Sequence, residues 1–270
     1  MKPFLVAAFY KFVVLENLEN RRDFLLELCR ENHVKGTILL ASEGINATIT
    51  GEANALHRVL DVLKNDVQIG DLSVKFSRHE TPPFARLKVK IKAEIVTLGM
   101  PQINPTKVVG TYVKPKDWND LISQEDVLVL DTRNDYEVEV GTFDGAINPQ
   151  TQSFRQFPDA IEKLEVDLEV DKKTRVAMFC TGGIRCEKAS SLLMEMGFEN
   201  VYHLQGGVLQ YLEEVASDES LWRGECFVFD NRVSLDGELS RGEYSLCEGC
   251  GNPIKSGEIQ CEKCSDSAQL

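Results

Sequence analysis

Two periodicities divide the first eighty residues. Phe4 to Val14 is rich in Phe, Val and Tyr, the composition of a strand. From Arg22 to Asn32, Phe24, Leu25, Leu28 and Cys29 recur at helical spacing. Thr37 to Ala41 is an apolar strand, and the turn Ser42-Glu43-Gly44 separates it from another, Ile45 to Thr50. Leu56, Val59, Leu60 and Leu63 then mark one face of a second helix, at i, i+3, i+4 and i+7. Leu72 to Phe76 closes the series as a strand. The order βαββαβ predicts a split-βαβ, ferredoxin-like α+β domain over residues 1–100. Many activities share that plan, so it assigns none.

A different alternation follows. Arg86, Lys88, Lys90 and Lys92 alternate with Leu87, Val89 and Ile91. In a strand, period two turns the three apolar residues inward and all four cations to one outer face. Cations about 6.6 Å apart form a ladder that a phosphate backbone can follow. The same pattern suits an edge strand guarded by lysines against aggregation. Lys75 and Arg78, just upstream, add weight to a nucleic-acid reading.

Residues 105–225 alternate strand and helix signals, as parallel α/β domains do. Val127-Leu-Val-Leu130 is a short apolar strand leading into Asp131-Thr132-Arg133, and Arg175 to Phe179 ends directly on Cys180. The loop Cys180-Thr181-Gly182-Gly183-Ile184-Arg185 then opens a helix carrying Ala189, Leu192, Leu193 and Met196 on one face. A cysteine at the end of a buried strand, on a glycine-containing loop before a helix, is placed where backbone N–H groups stabilise a thiolate. Arg185 adds a full positive charge. Cysteine phosphatases ring a phosphate with Cys-x5-Arg; here the spacing is Cys-x4-Arg, and Phe179 stands where those enzymes usually carry histidine. The tighter loop suits a smaller group, such as the outer sulfur of a persulfide. Asp131 and Arg133 are expected to brace the rim of this site or to form a purely structural ion pair. Cys186 follows the loop, where it could resolve a persulfide or sulfenic acid at Cys180, but position i+6 across a helix start gives no assurance of contact, and none is expected.

Composition changes the picture at one point. The chain has 30 Lys+Arg against 43 Asp+Glu, a formal charge of −13, which alone argues against a polyanionic partner. Split at residue 100, the balance is 14 basic to 12 acidic before and 16 to 31 after. The negative excess belongs wholly to the later part, so the first domain could meet a polyanion even though the whole chain repels one. The apolar run Phe4 to Tyr10 is followed by Lys11 without a small-residue cleavage site, and no stretch approaches the roughly 20 apolar residues of a membrane span. A cytoplasmic protein without a membrane partner is expected.

Of eight cysteines, Cys247, Cys250, Cys261 and Cys264 form Cys-x2-Cys-x10-Cys-x2-Cys in a Cys-rich tail over residues 226–270. Two such knuckles suit tetrahedral zinc, in a segment with few apolar residues to fold around. Two disulfides, or free reduced thiols, are the alternatives.

Together Val127 to Arg133, Tyr136-Glu137, Gly141 to Pro149, the Cys180–Arg185 loop and Val201 to Gly207 resemble a rhodanese domain. Thr142-Phe143 departs from the His-Ile that many rhodaneses carry after the glycine. With an N-terminal, acylphosphatase-like half containing Ser42 to Asn46 and Pro82 to Lys90, and with Gly224 to Val233 before the paired cysteines, the whole chain resembles the bacterial rhodanese-domain tRNA uridine hydroxylases. That resemblance implies oxygen-dependent conversion of the wobble uridine of tRNA to 5-hydroxyuridine, with tRNA and dioxygen as partners and Cys180 as the essential, persulfide-forming cysteine. A sulfur or electron donor would be a further partner. Nothing in the sequence identifies an oxygen-activating cofactor. There is no dinucleotide-binding glycine turn, and His33, His57, His79 and His203 lack iron-triad spacing. Two other readings stand beside this one: a sulfurtransferase passing persulfide sulfur to a small or protein thiol, and a binding module with a vestigial cysteine.

Overall fold

A computed structural model describes residues 4–81, 83–258, 261 and 264. Met1 to Pro3, Pro82 and most of the tail beyond Glu258 lie outside the described residues. The chain divides into two compact units, Met1–Lys107 and Val108–Leu270.

In the first unit the elements run β1 (Phe4–Phe12), α1 (Leu18–Glu31), β2 (Lys35–Ala41), β3 (Gly44–Gly51), α2 (Ala53–Lys64), β4 (Val74–His79) and β5 (Leu87–Ile91). The sheet order is β4-β1-β3-β2-β5. The first four strands pair antiparallel, giving the ferredoxin-like arrangement, and β5 adds to β2 in parallel. Alternation sorts the residues: Ala7, Phe9, Ile38, Leu40, Ile45, Ala47 and Ile49 join Leu25 and Cys29 of α1 and the Leu56, Val59, Leu60, Leu63 face of α2 in one core. Two boundaries differ from the sequence pattern. Helix α1 starts at Leu18, after Asn17 in a left-handed conformation (φ 52°). Strand β4 starts at Val74 rather than Leu72, because Leu72 is spent in the core and pairing with β1 runs on through Arg78 and His79.

The second unit contains β6 (Thr111–Val113), α3 (Pro115–Ile122), β7 (Val127–Asp131), α4 (Asp135–Val138), β8 (Gly141–Phe143), α5 (Phe157–Asp167), β9 (Arg175–Phe179), α6 (Ile184–Glu195), β10 (Asn200–Leu204) and α7 (Gly207–Glu214). Strands β6-β10-β9-β7 make a parallel sheet. The central strand β9 is buried from Val176 to Phe179, as its uninterrupted apolar run requires. Phe143 sits at the hub of an aromatic cluster, edge-on to Phe179, Tyr211 and Trp222 with centroids 4.8–5.1 Å apart. Its place beside them accounts for a bulky ring where the related pattern has isoleucine.

The chain continues through β11 (Trp222–Gly224), which pairs with β8, and the hairpin β12 (Cys226–Phe227) and β13 (Ser234–Leu235). A last hairpin, β14 (Tyr244–Leu246) and β15 (Pro253–Lys255), carries Cys247 just beyond its first strand. Among the described residues no helix is long and apolar enough to cross a membrane.

Candidate active site

Strand β9 delivers Cys180 to the N-terminus of α6. Gly183 ends the loop at φ 99°, a conformation that glycine adopts without a Cβ penalty. Its N–H donates to Cys180 Sγ at 3.1 Å. Gly207 (φ 68°), at the start of α7, backs the loop so closely that a Cβ would lie 2.4 Å from the Cys180 carbonyl oxygen. In return, Val208 and Leu209 donate their N–H groups to the carbonyls of Cys180 and Thr181. The loop is thus held from two helices.

Cys180 is fully buried. Burial pushes its thiol up, but this is outweighed by a hydrogen bond from the Cys186 thiol, the charge of Arg185, and the N–H groups of Cys186 and Arg185. The result lies well below the ordinary thiol range, which favours the thiolate form of Cys180. Cys186 goes the other way. Burial, its donation to Cys180 and the charge there all push it up, keeping it a protonated donor. The expectation that these cysteines would not meet is therefore corrected. Cys186 is only the third residue of α6, so the turn of the Cys180–Gly183 loop, not the length of the helix, brings the two cysteines together, and Thr132 Oγ1 approaches the Cys186 sulfur at 3.5 Å.

Arg185 does not reach for the sulfur. Its guanidinium forks onto Glu137, Nη1 to Oε2 at 2.6 Å and Nη2 to Oε1 at 2.7 Å, and Nη2 also donates to Thr181 Oγ1 at 3.3 Å. Burial pushes the Glu137 carboxyl up, and the Arg185 charge and hydrogen bonds bring it below its ordinary value. Glu137 also accepts from the N–H of Asn134 at 3.1 Å. Sequence reasoning gave Glu137 no role. Its signal was the Asn134-x-x-Glu137 capping pattern at the start of α4.

Asp131 and Arg133 lie behind the site, both fully buried, rather than along an exposed rim. Arg133 Nε and Nη2 pair with the Asp131 carboxylate at 2.9 and 2.6 Å, and Nη2 and Nη1 donate to the carbonyls of Gly141 and Glu137. Phe179 and Trp222 flank the guanidinium. Thr142, where the related pattern has histidine, donates to Asp131 at 3.0 Å. This pair ties β7 and β8 to α4, and α4 positions Glu137 for Arg185.

The hairpin β12–β13 brings a further group to the site. Phe229, in its loop, is 63% exposed, yet its ring centroid lies 5.9 Å from Arg185 Cζ. No periodicity marked it in the sequence.

The cationic ladder lies in the first unit. Leu87 and Val89 pack on the core, while Arg86, Lys90 and Lys92 are exposed and Lys88 half-buried. Strand β5 is also the edge of its sheet, so both readings of the alternation remain physically available. The four tail cysteines converge: their ligand atoms lie within 4.8 Å of one another, with Cys250 and Cys261 sulfurs 3.5 Å apart. Tetrahedral zinc with bonds near 2.3 Å needs sulfurs about 3.8 Å apart, so the set fits such an ion. His33 and His57 are exposed, and His203 is buried against Tyr112.

Residues 4–95 match the UPF0176 acylphosphatase-like domain, and residues 114–214 match the rhodanese-like domain. A protein of Teredinibacter turnerae named tRNA uridine(34) hydroxylase is 54% identical over 263 residues, spanning 97% of this chain and 81% of that protein. Proteins of the same name from Acaryochloris marina (53% over 262 residues, 97% and 84% covered) and from a Picosynechococcus species (54% over 254 residues, 94% and 84% covered) are similar to the same extent.

Proposed function

The chain belongs to the tRNA uridine(34) hydroxylase family, and from that premise we propose that it converts uridine 34 of tRNA to 5-hydroxyuridine with oxygen from dioxygen, at a centre built on Cys180. The observation that carries this is identity at about half of the positions across 97% of this chain and more than four fifths of named hydroxylases. The site supports a cysteine role: a preformed thiolate with N–H donors directed at sulfur is able to hold a persulfide, whose outer sulfur stands one S–S bond, about 2 Å, beyond the buried Sγ. Thr181, Gly182, Gly183 and Ile184 form the cradle. Arg185 acts on the sulfur through its charge while Glu137 holds its guanidinium in place, and Asp131 and Arg133 support that pairing. A sulfurtransferase ending in a small thiol would use the same cradle, but it would have no use for an RNA-binding domain.

The first unit is proposed to hold the tRNA, in the cytoplasm. Arg86, Lys88, Lys90 and Lys92 would meet phosphates. In register across the sheet, Lys88 of β5 is followed on the same face by Thr37, Thr48, Ala8 and then Lys75 of β4, so cations flank both sides of a polar strip. The four tail cysteines are proposed to bind one structural, redox-silent zinc ion.

Isotope labelling tests the reaction. Cells whose only source of this nucleoside is the present protein, grown under ¹⁸O2, should yield 5-hydroxyuridine-derived nucleosides heavier by one ¹⁸O. An unlabelled product would refute dioxygen as the oxygen source, and no product would refute the activity.

A further inference from the structure

We infer that Phe229 is a substrate-positioning residue: its exposed ring stacks on the pyrimidine of the uridine presented to the Cys180 site. This deepens the function proposed above and rests on it. An isolated exposed phenylalanine is unremarkable on a protein surface, so the inference depends on what holds this one.

Phe229 lies in the six-residue loop 228–233 that closes the β12–β13 hairpin. Val228 donates to the Val233 carbonyl at 2.8 Å and Val233 donates to the Asp230 carbonyl at 3.0 Å. Val233 takes φ 66°, a conformation that is a true outlier for a β-branched residue. Inside the loop, Asp230 and Arg232 form a fork with both side chains at least 95% buried, Nε to Oδ1 at 2.8 Å and Nη2 to Oδ2 at 2.5 Å. A strained backbone and a buried ion pair each cost free energy, and such features concentrate where a loop must hold one shape for function. Here that shape leaves Val228 and Val233 buried and turns only Phe229 among the apolar loop residues outward.

The direction it faces is specific. Its ring stands over the Arg185 guanidinium at 5.9 Å and edge-on to Phe227 at 5.2 Å, and Phe227 in turn packs edge-on against Tyr136, the neighbour of Glu137. The inner side of Phe229 is therefore fixed by the residues that frame the thiolate, and its outer side is free for a flat partner. A base inside an RNA stack cannot reach a buried sulfur; it has to be turned out and held, and aromatic faces hold bases whatever their sequence.

The test uses full-length protein, supplied at limiting expression to cells that lack any other route to the nucleoside. Phe229→Ala should lower the fraction of uridine 34 hydroxylated by about 10-fold or more, the scale of one lost base stack. Phe229→Tyr and Phe229→Trp should restore most of it. Alkylation of Cys180 by iodoacetamide in the purified variants should stay within about 2-fold of wild type, because the cradle is untouched. Full hydroxylation by Phe229→Ala would overturn the inference, as would equal loss in Ala, Tyr and Trp variants with Cys180 alkylation changed, which would make the ring a structural prop. Wild type that leaves uridine 34 unmodified would overturn the proposed activity itself, and this inference with it.

Discussion

At Cys180 two opposing effects meet, and their sizes decide its chemistry. Full burial favours the neutral thiol, whereas directed donors and a nearby guanidinium favour the anion. Arg185 is the obvious cation, but Glu137 takes both of its terminal nitrogens, so much of its charge is already answered. That leaves Cys186 as the side chain with the most direct hold on the sulfur. Removing a hydrogen bond to a charged group costs about 1.5–3 kcal/mol, which corresponds to roughly 1–2 pH units. Cys186→Ala should therefore move the titration of Cys180, read as thiolate absorbance against a Cys180→Ala control, upward by about that much. Cys186→Ser, which keeps a donor, should move it less. An unchanged midpoint in Cys186→Ala would show that the backbone donors suffice alone. Little of this residue-level arrangement was legible in advance. Cys180 and Arg185 stand out by spacing, but contact between positions 180 and 186 depends on how the loop enters the helix, and the partnership of Arg185 with Glu137 joins residues 48 apart.

Elements were easier to read than contacts, for a physical reason. Period-2 and period-3.6 alternation records which face of an element is buried, so β1 to β3, α2 and the apolar strands β7 and β9 follow directly from the sequence. Polar strand residues carry no such record: β4 continues through Ser77, Arg78 and His79 because β1 offers it unpaired backbone. The short pairing of β11 with β8 and the hairpin that presents Phe229 depend on tertiary neighbours in the same way. Strand β5 shows the limit of pattern alone. Its alternation correctly sends Leu87 and Val89 to the core, yet the outward cations serve an edge and an RNA equally well. Reversing Arg86, Lys88, Lys90 and Lys92 to Glu decides between them. If they meet phosphates, tRNA affinity should fall and the slope of log K against log salt should flatten by up to about 3. Unchanged affinity and slope would leave edge protection as the role of the ladder.

On the scale of the whole molecule, a net charge of −13 hides two units of different character. The near-neutral first unit carries the cationic strand, and the acidic second carries Cys180; a net negative charge of this size disfavours indiscriminate association with polyanions. The tail contributes the four converging cysteines, and metal analysis of reduced, purified protein should find one zinc per chain; a metal-free, folded tail would contradict that assignment. The central claim joins both units to one reaction, and nucleoside analysis at tRNA position 34 tests it most directly. In cells lacking this gene and any second route to the nucleoside, wild-type protein should restore 5-hydroxyuridine derivatives, and Cys180→Ala, expressed to the same level, should restore none. Restoration by Cys180→Ala would contradict the account, because hydroxylation would then proceed without the sulfur around which the site is built.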